Sequence, residues 1–119
     1  MDEPGLSSVE RLQNISKAVK QVRRFCDGKT ESDFLADDML SSSVLYQFLI
    51  IGEAIQFVDH EILKKYPYPW HLPRSFRNYI AHEYFGINLR QIFKTVEVLL
   101  PEFETLIDKM IEQEKTTNN

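Results

Sequence analysis

Hydrophobic residues recur at steps of three and four along most of this chain, which is the spacing of one face of an α-helix. The first stripe predicts a helix from Ser7 or Ser8, either of which can cap it, to near Cys26. Asp27 and Gly28 follow and end the helix. No alternating run is long enough to predict a strand, so the pattern indicates an all-α protein. The stripe consists of Leu6, Val9, Leu12, Ile15, Val19, Val22 and Phe25.

The second stripe predicts the most hydrophobic helix of the chain. Residues 30–37 read as a turn or a single helical turn, and the helix begins at Asp37 or Asp38. Its main stripe is Leu40, Val44, Phe48, Ile51, Ile55 and Val58. Leu45, Leu49 and Gly52 form a second stripe, so this helix must be buried on more than one side. The extra face could pack against a second copy of the chain, or the helix could be the centre of a bundle.

Prolines and glycines divide the second half of the chain. The stretch Tyr66–Trp70 contains two prolines and is predicted to be a rigid aromatic loop. Pro73 fits the first turn of a helix that continues to about His82, and Gly86 breaks the chain after it.

The last helical segment opens with a capping box formed by Asn88 and Gln91. Pro101 must kink this helix or start a new one. Residues 112–119 are polar and are predicted to fray. The whole pattern therefore predicts a bundle of four to five helices.

Size and composition fit one domain spanning residues 1–119, with one hydrophobic core. The longest apolar stretch, Val44–Ile51, is far shorter than the roughly 20 residues that cross a bilayer. The N-terminus lacks the basic start and apolar centre of a signal peptide. Cys26 is the single cysteine, which excludes an internal disulfide, and we interpret it as a small apolar side chain. We therefore expect a cytoplasmic protein without a membrane segment.

Charge is unevenly distributed along the chain. The formal net charge is −4, which argues against a protein that coats nucleic acid with its whole surface. The segment from His60 to Lys94, however, contains six basic residues and only two acidic ones, and all three histidines lie in this segment. An anionic ligand would be drawn to this region. Chance clustering of surface charge is the alternative.

The candidate chemistry lies around the predicted helix that ends near His82. Each helical residue advances by about 100°, so Asn78 and His82 lie about 100° and 140° from Arg77. Tyr84 returns to within about 20° of Arg77 if the helix continues that far. A permanent cation, an amide and an imidazole around the small Ala81 can form an anion pocket with acid/base capacity.

Phosphodiester transfer would use such an arrangement. Arg77 would stabilise the charge that accumulates on the phosphoryl oxygens when a ribose 2′-hydroxyl attacks the phosphorus. His82 could remove or donate a proton, and Asn78 could orient the phosphate or the imidazole. The reaction needs both an acid and a base, and only His82 is suitably placed. A symmetric dimer would supply the second copy.

These residues also resemble a known family. The segment from Arg77 to Tyr84 resembles the R-x-x-x-x-H-x-Y signature of HEPN-domain toxins of the HepT group. Ile50–Ala54 is similar to the I-G-E-A element of that group, and Pro69 and Trp70 are also similar to it. Ser75 and Phe76 depart from the usual pattern. The resemblance spans most of the chain and follows the order of the family.

The resemblance implies a HEPN-type antiparallel helical bundle that forms a homodimer, with two motifs facing each other across an RNA-cleaving, metal-independent site. It implies catalytic roles for Arg77 and His82, with Asn78 as a supporting polar group. It also implies a cognate minimal nucleotidyltransferase antitoxin that adds AMP to Tyr84. No cofactor is expected.

Several side chains have competing interpretations. Glu53 is expected to hydrogen-bond a loop or neutralise a nearby arginine rather than act as a general base. Tyr79 is expected to point inward and support the motif, and Tyr84 could simply pack at the helix end. Tyr66, Tyr68 and Trp70 could stack nucleobases, but we favour a role in closing the core. No metal site is expected, because the histidines are 11 residues apart and no cysteine pair exists.

Two function classes remain open. The first is a toxin ribonuclease, which the intact Arg77 and His82 favour. The second is a non-catalytic companion that binds a nucleotide or the substrate of a minimal nucleotidyltransferase. The acidic net charge favours this second class, because RNA would approach against the overall field.

Overall fold

A computed structural model describes residues 5–117, and every regular element within them is helical, which confirms the all-α prediction. Five helices have ten or more residues, and two short ones connect them. The elements are α1 (Ser8–Cys26), α2 (Glu31–Ala36), α3 (Asp38–Ile55), α4 (His60–Leu63), α5 (His71–His82), a 3-10 turn (Tyr84–Gly86), α6 (Leu89–Val98) and α7 (Leu100–Thr117).

The start of α1 is determined by local hydrogen bonds. The Glu10 backbone N–H donates to Ser7 Oγ at 3.1 Å, and the Ser7 N–H donates to Glu10 Oε1 at 3.0 Å. This capping box satisfies two donors that the first helical turn leaves free. At the other end, Gly28 has a φ of 73°, which glycine adopts without steric cost. The predicted bounds of α1 are confirmed.

Helix α3 is the centre of the bundle, because α1 and α5 both pack against it, while α7 packs against α1 and α6. Leu45 and Gly52, from the predicted second stripe, are buried within this one chain. The interpretation of α3 as a central helix is therefore supported, while Leu49 of the same stripe is only partly buried. The fully buried side chains of the core include Leu12, Ile15, Val19, Val22, Phe34, Val44, Ile92, Ile107 and Met110.

The predicted fraying of residues 112–119 is wrong for residues 112–117, which form the last turns of α7. Glu114 is only 2% exposed and accepts hydrogen bonds from Tyr66 Oη at 2.8 Å and from Lys65 Nζ at 3.0 Å. Burial, together with the Glu114 carboxylate, raises the pKa of Tyr66 to about 12. Residues 118 and 119 lie outside the described part of the chain.

The aromatic loop closes one end of the core, as expected. Trp70 Nε1 donates to the backbone oxygens of Leu63 and Tyr66, both at 3.0 Å. The rings of Tyr68 and Trp70 also pack against Phe103 of α7. The loop is therefore held against α7, and it determines where α5 begins.

Pro101 lies in the first turn of α7, so it starts a new helix, one of the two expected outcomes. Within residues 5–117, no helix combines the length and the apolar character needed to cross a membrane.

Candidate active site

Helix α5 lies unusually close to α3 at Gly52. A Cβ atom at Gly52 would lie 2.2 Å from Arg77 Cβ and 2.8 Å from the backbone oxygen of Pro73. Both distances are too short for real atoms, so this approach requires a residue without a side chain. Gly52 therefore positions the base of the Arg77 side chain directly on the surface of α3.

The guanidinium of Arg77 is oriented by two neighbours. Its Nη2 lies 3.6 Å from Glu53 Oε2, and its Nη1 donates to Asn78 Oδ1 at 3.3 Å. The side chains of Arg77 and Glu53 are 33% and 25% exposed, so this ion pair contributes about 1 kcal/mol at most. The pairing supports the expected role of Glu53 as a neutralising neighbour of an arginine, and its main effect is to hold the guanidinium in place.

Arg77 Nε is buried and has no hydrogen-bond partner within residues 5–117. A buried donor without a partner costs about 1–3 kcal/mol, and such groups are rare in native proteins. Arg77 is thus a partly desolvated cation with incompletely used donors. This environment favours the binding of an anion.

Asn78 and His82 lie on the outer face of α5 and are exposed. The structure brings Asn78 together with Arg77, but the His82 imidazole makes no hydrogen bond or ion pair to any other described residue. The sequence predicted that Arg77, Asn78 and His82 form one pocket. In the structure these side chains lie on two different sides of α5, because Arg77 faces α3 while Asn78 and His82 face outward. The imidazole is therefore available to a bound molecule or to a group from another chain.

Tyr84 lies beyond the end of α5. The helix stops at His82 and does not continue to Tyr84, so helical spacing does not place Tyr84 on the same face as Arg77. Tyr84 lies instead in the 3-10 turn, where its side chain is 50% exposed and its ring centroid is 5.5 Å from that of Phe85. Phe85 is itself fully exposed. Tyr84 thus lies on an exposed turn that begins two residues after His82 in the chain.

Tyr79 has a structural role that the sequence only partly indicated. It is partly buried, as expected, and its hydroxyl accepts a hydrogen bond at 3.0 Å from the backbone N–H of Asn88. Asn88 is the N-cap of α6. Tyr79 therefore links α5 to the start of α6 and fixes the two ends of the intervening segment that carries Tyr84.

An apolar cavity of about 430 Å³ lies between α3, α5, α6 and α7. No charged side chain lines it, so its chemistry differs from that of the Arg77 cluster. Six of its lining residues are Phe48, Ile51, Leu72, Phe76, Tyr79 and Leu99. Within residues 5–117, no group of three His, Cys, Asp or Glu side chains is arranged to hold a metal ion.

Sequence reasoning missed one cation on the outer face of α5. Arg74 is exposed and precedes Asn78 by four residues, so the two share a helical face with His82. The same spacing was visible in the sequence.

Comparison with known proteins shows several relatives. A protein named "Putative RNase" from Caldanaerobacter subterraneus subsp. tengcongensis is 33% identical over 87% of this chain and 90% of its own length. A "Probable ribonuclease HepT" from Thermococcus cleftensis is 28% identical over 87% of this chain and 96% of its own.

A longer protein from Methanocaldococcus jannaschii, named "Gamma-glutamylcyclotransferase and putative RNase", is 30% identical over 91% of this chain. The chain spans 50% of the length of that relative. No solved structure matches significantly. The family described as "Ribonuclease HepT-like" matches residues 15–110, a range that includes α3, α5 and the whole Arg77 cluster. This chain therefore belongs to the HepT-like ribonuclease family.

Proposed function

We propose that this protein is a metal-independent endoribonuclease whose active site is formed by Arg77, Asn78 and His82. The main support is the environment of Arg77: a partly desolvated guanidinium, oriented by Glu53, on the same helix as an exposed imidazole. Membership in a family described as ribonuclease HepT-like agrees with this chemistry.

The proposed reaction is an internal transfer at one phosphodiester. The ribose 2′-oxygen forms a bond to phosphorus as its proton passes to a base, and the bond to the 5′-oxygen breaks as that oxygen receives a proton from an acid. The products are a 2′,3′-cyclic phosphate and a free 5′-hydroxyl. Arg77 stabilises the charge on the non-bridging oxygens, and a His82 imidazole supplies each proton-transfer group.

A homodimer would supply both imidazoles. Arg77 and His82 are separated by about 140° around α5, which makes joint action on one phosphate within a single protomer difficult. In a symmetric pair, Arg77 of one protomer and His82 of the other can flank the same phosphate. Because Arg77 and His82 lie on different sides of α5 in the single chain, the geometry agrees with a site that two chains complete.

The outer face of α3 is the proposed dimer surface. Met39 and Tyr46 are 80% and 53% exposed, and with the partly buried Ile50 they recur at helical spacing along this face. Glu53 lies on the same face, next to Arg77. A twofold contact along this stripe would therefore bring two Arg77 clusters together, and exposed apolar side chains of this size are typical of such interfaces.

Sedimentation velocity tests this surface with Tyr46→Arg and, as a control, Val98→Arg, which alters an equally exposed apolar residue of α6. We expect the first variant to be monomeric and inactive at concentrations where the second remains dimeric. If neither variant dissociates into monomers, the dimer interface lies elsewhere.

The activity is tested by incubating RNA with the purified protein in EDTA. We expect cleavage with 2′,3′-cyclic phosphate ends, reduced at least about 100-fold in His82→Ala and in Arg77→Gln. His60→Ala is the matched control, because it removes an exposed histidine outside α5. If a folded, dimeric, unmodified protein leaves RNA intact, the non-catalytic companion of a nucleotidyltransferase becomes the better proposal.

Tyr84 is the proposed site of regulation, through transfer of AMP by a cognate minimal nucleotidyltransferase antitoxin. Its ring is 50% exposed on a turn two residues after His82, so a phosphate-bearing group there would add bulk and negative charge beside the site. Intact-mass spectrometry after co-expression should show an AMP adduct in the wild type and in Tyr46→Phe, an equally exposed tyrosine, but not in Tyr84→Phe. An adduct that persists in Tyr84→Phe would exclude this site.

A further inference from the structure

The outer face of α5 carries three polar side chains in a row. Arg74, Asn78 and His82 follow one another at intervals of four residues, so each is displaced by about 40° and about 6 Å along the axis from the next. All three are exposed. Arg77, in contrast, is turned toward α3. The cation on the His82 face is therefore Arg74.

Arg74 differs from Arg77 and Arg90, two other arginines in the second half of the chain, because it has no acidic partner among the described residues. Helix α5 contains no aspartate or glutamate, and Arg74 forms no ion pair within residues 5–117. By comparison, Arg77 is paired with Glu53, and Arg90 lies 2.6 Å from Glu31. All donors of the Arg74 guanidinium are thus available to an external acceptor, on a helix whose charged groups are all basic.

We propose that RNA runs along the outer face of α5 and that Arg74 binds a phosphate flanking the one that is cleaved. This proposal deepens the ribonuclease function and rests on it. Arg74 and His82 are about 12 Å apart along the helix axis, which favours a flanking phosphate over the scissile one. A guanidinium is suited to this contact because two of its donors can bind one phosphate. The contact sets substrate affinity and register, and it takes no part in proton transfer.

The test compares Arg74→Gln with Lys17→Gln. Both variants remove one positive charge, but Lys17 is an exposed, unpaired lysine of α1, on a helix that packs against α3 and α7 rather than α5. The probe is a fluorescent 2′-O-methylated oligoribonucleotide, which lacks the attacking hydroxyl and cannot be cleaved. Its binding is measured by anisotropy over a series of NaCl concentrations.

Loss of one phosphate contact on a single strand should reduce the slope of log K against log salt by about 0.7. In Arg74→Gln we expect this smaller slope and several-fold weaker binding at low salt. In Lys17→Gln we expect the wild-type slope. Arg74→Lys should have nearly the wild-type slope, because the salt dependence of binding depends on the positive charge and lysine keeps it. In cleavage assays, Arg74→Gln should raise KM several-fold and leave kcat within about twofold of the wild type.

Equal slopes for Arg74→Gln and Lys17→Gln would overturn the proposal and make Arg74 an ordinary solvated charge. Absence of oligonucleotide binding by the wild type would also overturn it. A wild type that binds but does not cleave would refute the ribonuclease function alone, and the slopes would still decide the role of Arg74.

Discussion

The contact between α3 and α5 predicts that Gly52→Ala is damaging although it adds only one methyl group. Alanine normally stabilises a helix interior relative to glycine by about 1 kcal/mol. Here the new Cβ would lie 2.2 Å from Arg77 Cβ and 2.8 Å from the Pro73 backbone oxygen, against 3.4–4 Å for ordinary contacts. Neither atom can rotate away, so α5 must shift outward by about 1 Å or more.

The magnitude follows from two opposing effects. Overpacking of a closely packed contact costs typically 1–3 kcal/mol, and a clash with backbone belongs near the top of that range, at about 3 kcal/mol. Subtracting about 1 kcal/mol of helix propensity leaves a net loss of about 2 kcal/mol. With a urea slope of about 2 kcal/mol per molar, the unfolding midpoint should fall by about 1 M.

Urea unfolding followed by circular dichroism measures this shift, at one fixed protein concentration because a dimer couples stability to association. Gly86→Ala is the control, since the nearest atom to its added Cβ is Glu83 Oε2 at 3.9 Å and its stability should change by less than about 0.5 kcal/mol. We also expect Gly52→Ala to lose RNA cleavage under conditions where it is folded, because Arg77 moves with α5. A stability equal to that of the wild type would refute the close-packing argument.

Three further predictions concern the scaffold of the site. Tyr79→Phe removes the acceptor of the Asn88 N–H and should cost about 1 kcal/mol in urea unfolding; no change would mean that water replaces the hydroxyl. The hydrogen bond from Lys65, opposed by burial, holds the pKa of Glu114 below its usual 4.5, so its stabilising effect is present above that value and is lost as the pH falls further. Between about pH 7 and about pH 3, the urea midpoint should therefore fall more in the wild type than in Glu114→Gln, and equal falls would contradict this assignment. Phe34→Ala should lower the unfolding free energy by about 3–4 kcal/mol, because the ring is fully buried; a loss below about 1 kcal/mol would show that the core collapses around the gap.

Elements with local signals were predictable from the sequence. The start of α1 depends on Ser7 and Glu10, and its end depends on Gly28, all within a few residues of the boundary. The end of α7 was not predictable in this way. Glu114 is buried because Tyr66 and Lys65 reach it from a loop nearly 50 residues earlier, and no local pattern reports such a contact.

The same distinction applies to the site. Helical spacing predicted that Arg77, Asn78 and His82 share one short helix, and the apolar neighbours of Glu53 predicted that it would hydrogen-bond a loop or neutralise an arginine, of which the structure shows the second. Spacing could not show which of these side chains faces α3, because that depends on where Gly52 lets α5 approach. Spacing also left two positions open for Tyr84, and the structure favours the helix end, since α5 stops at His82 and the turn that follows is held by Tyr79.

The adjacent residues Gly52 and Glu53 have a consequence for recognising proteins of this type. One provides the space for the Arg77 side chain and the other orients its guanidinium, so the arginine depends on a pair located 25 and 24 residues earlier in the chain. A search pattern built only on the arginine-to-histidine spacing would accept chains in which a larger residue blocks the arginine. A two-part pattern would also require a small residue followed by an acidic one on the preceding long helix. It would select chains in which the arginine side chain has both space and a carboxylate partner.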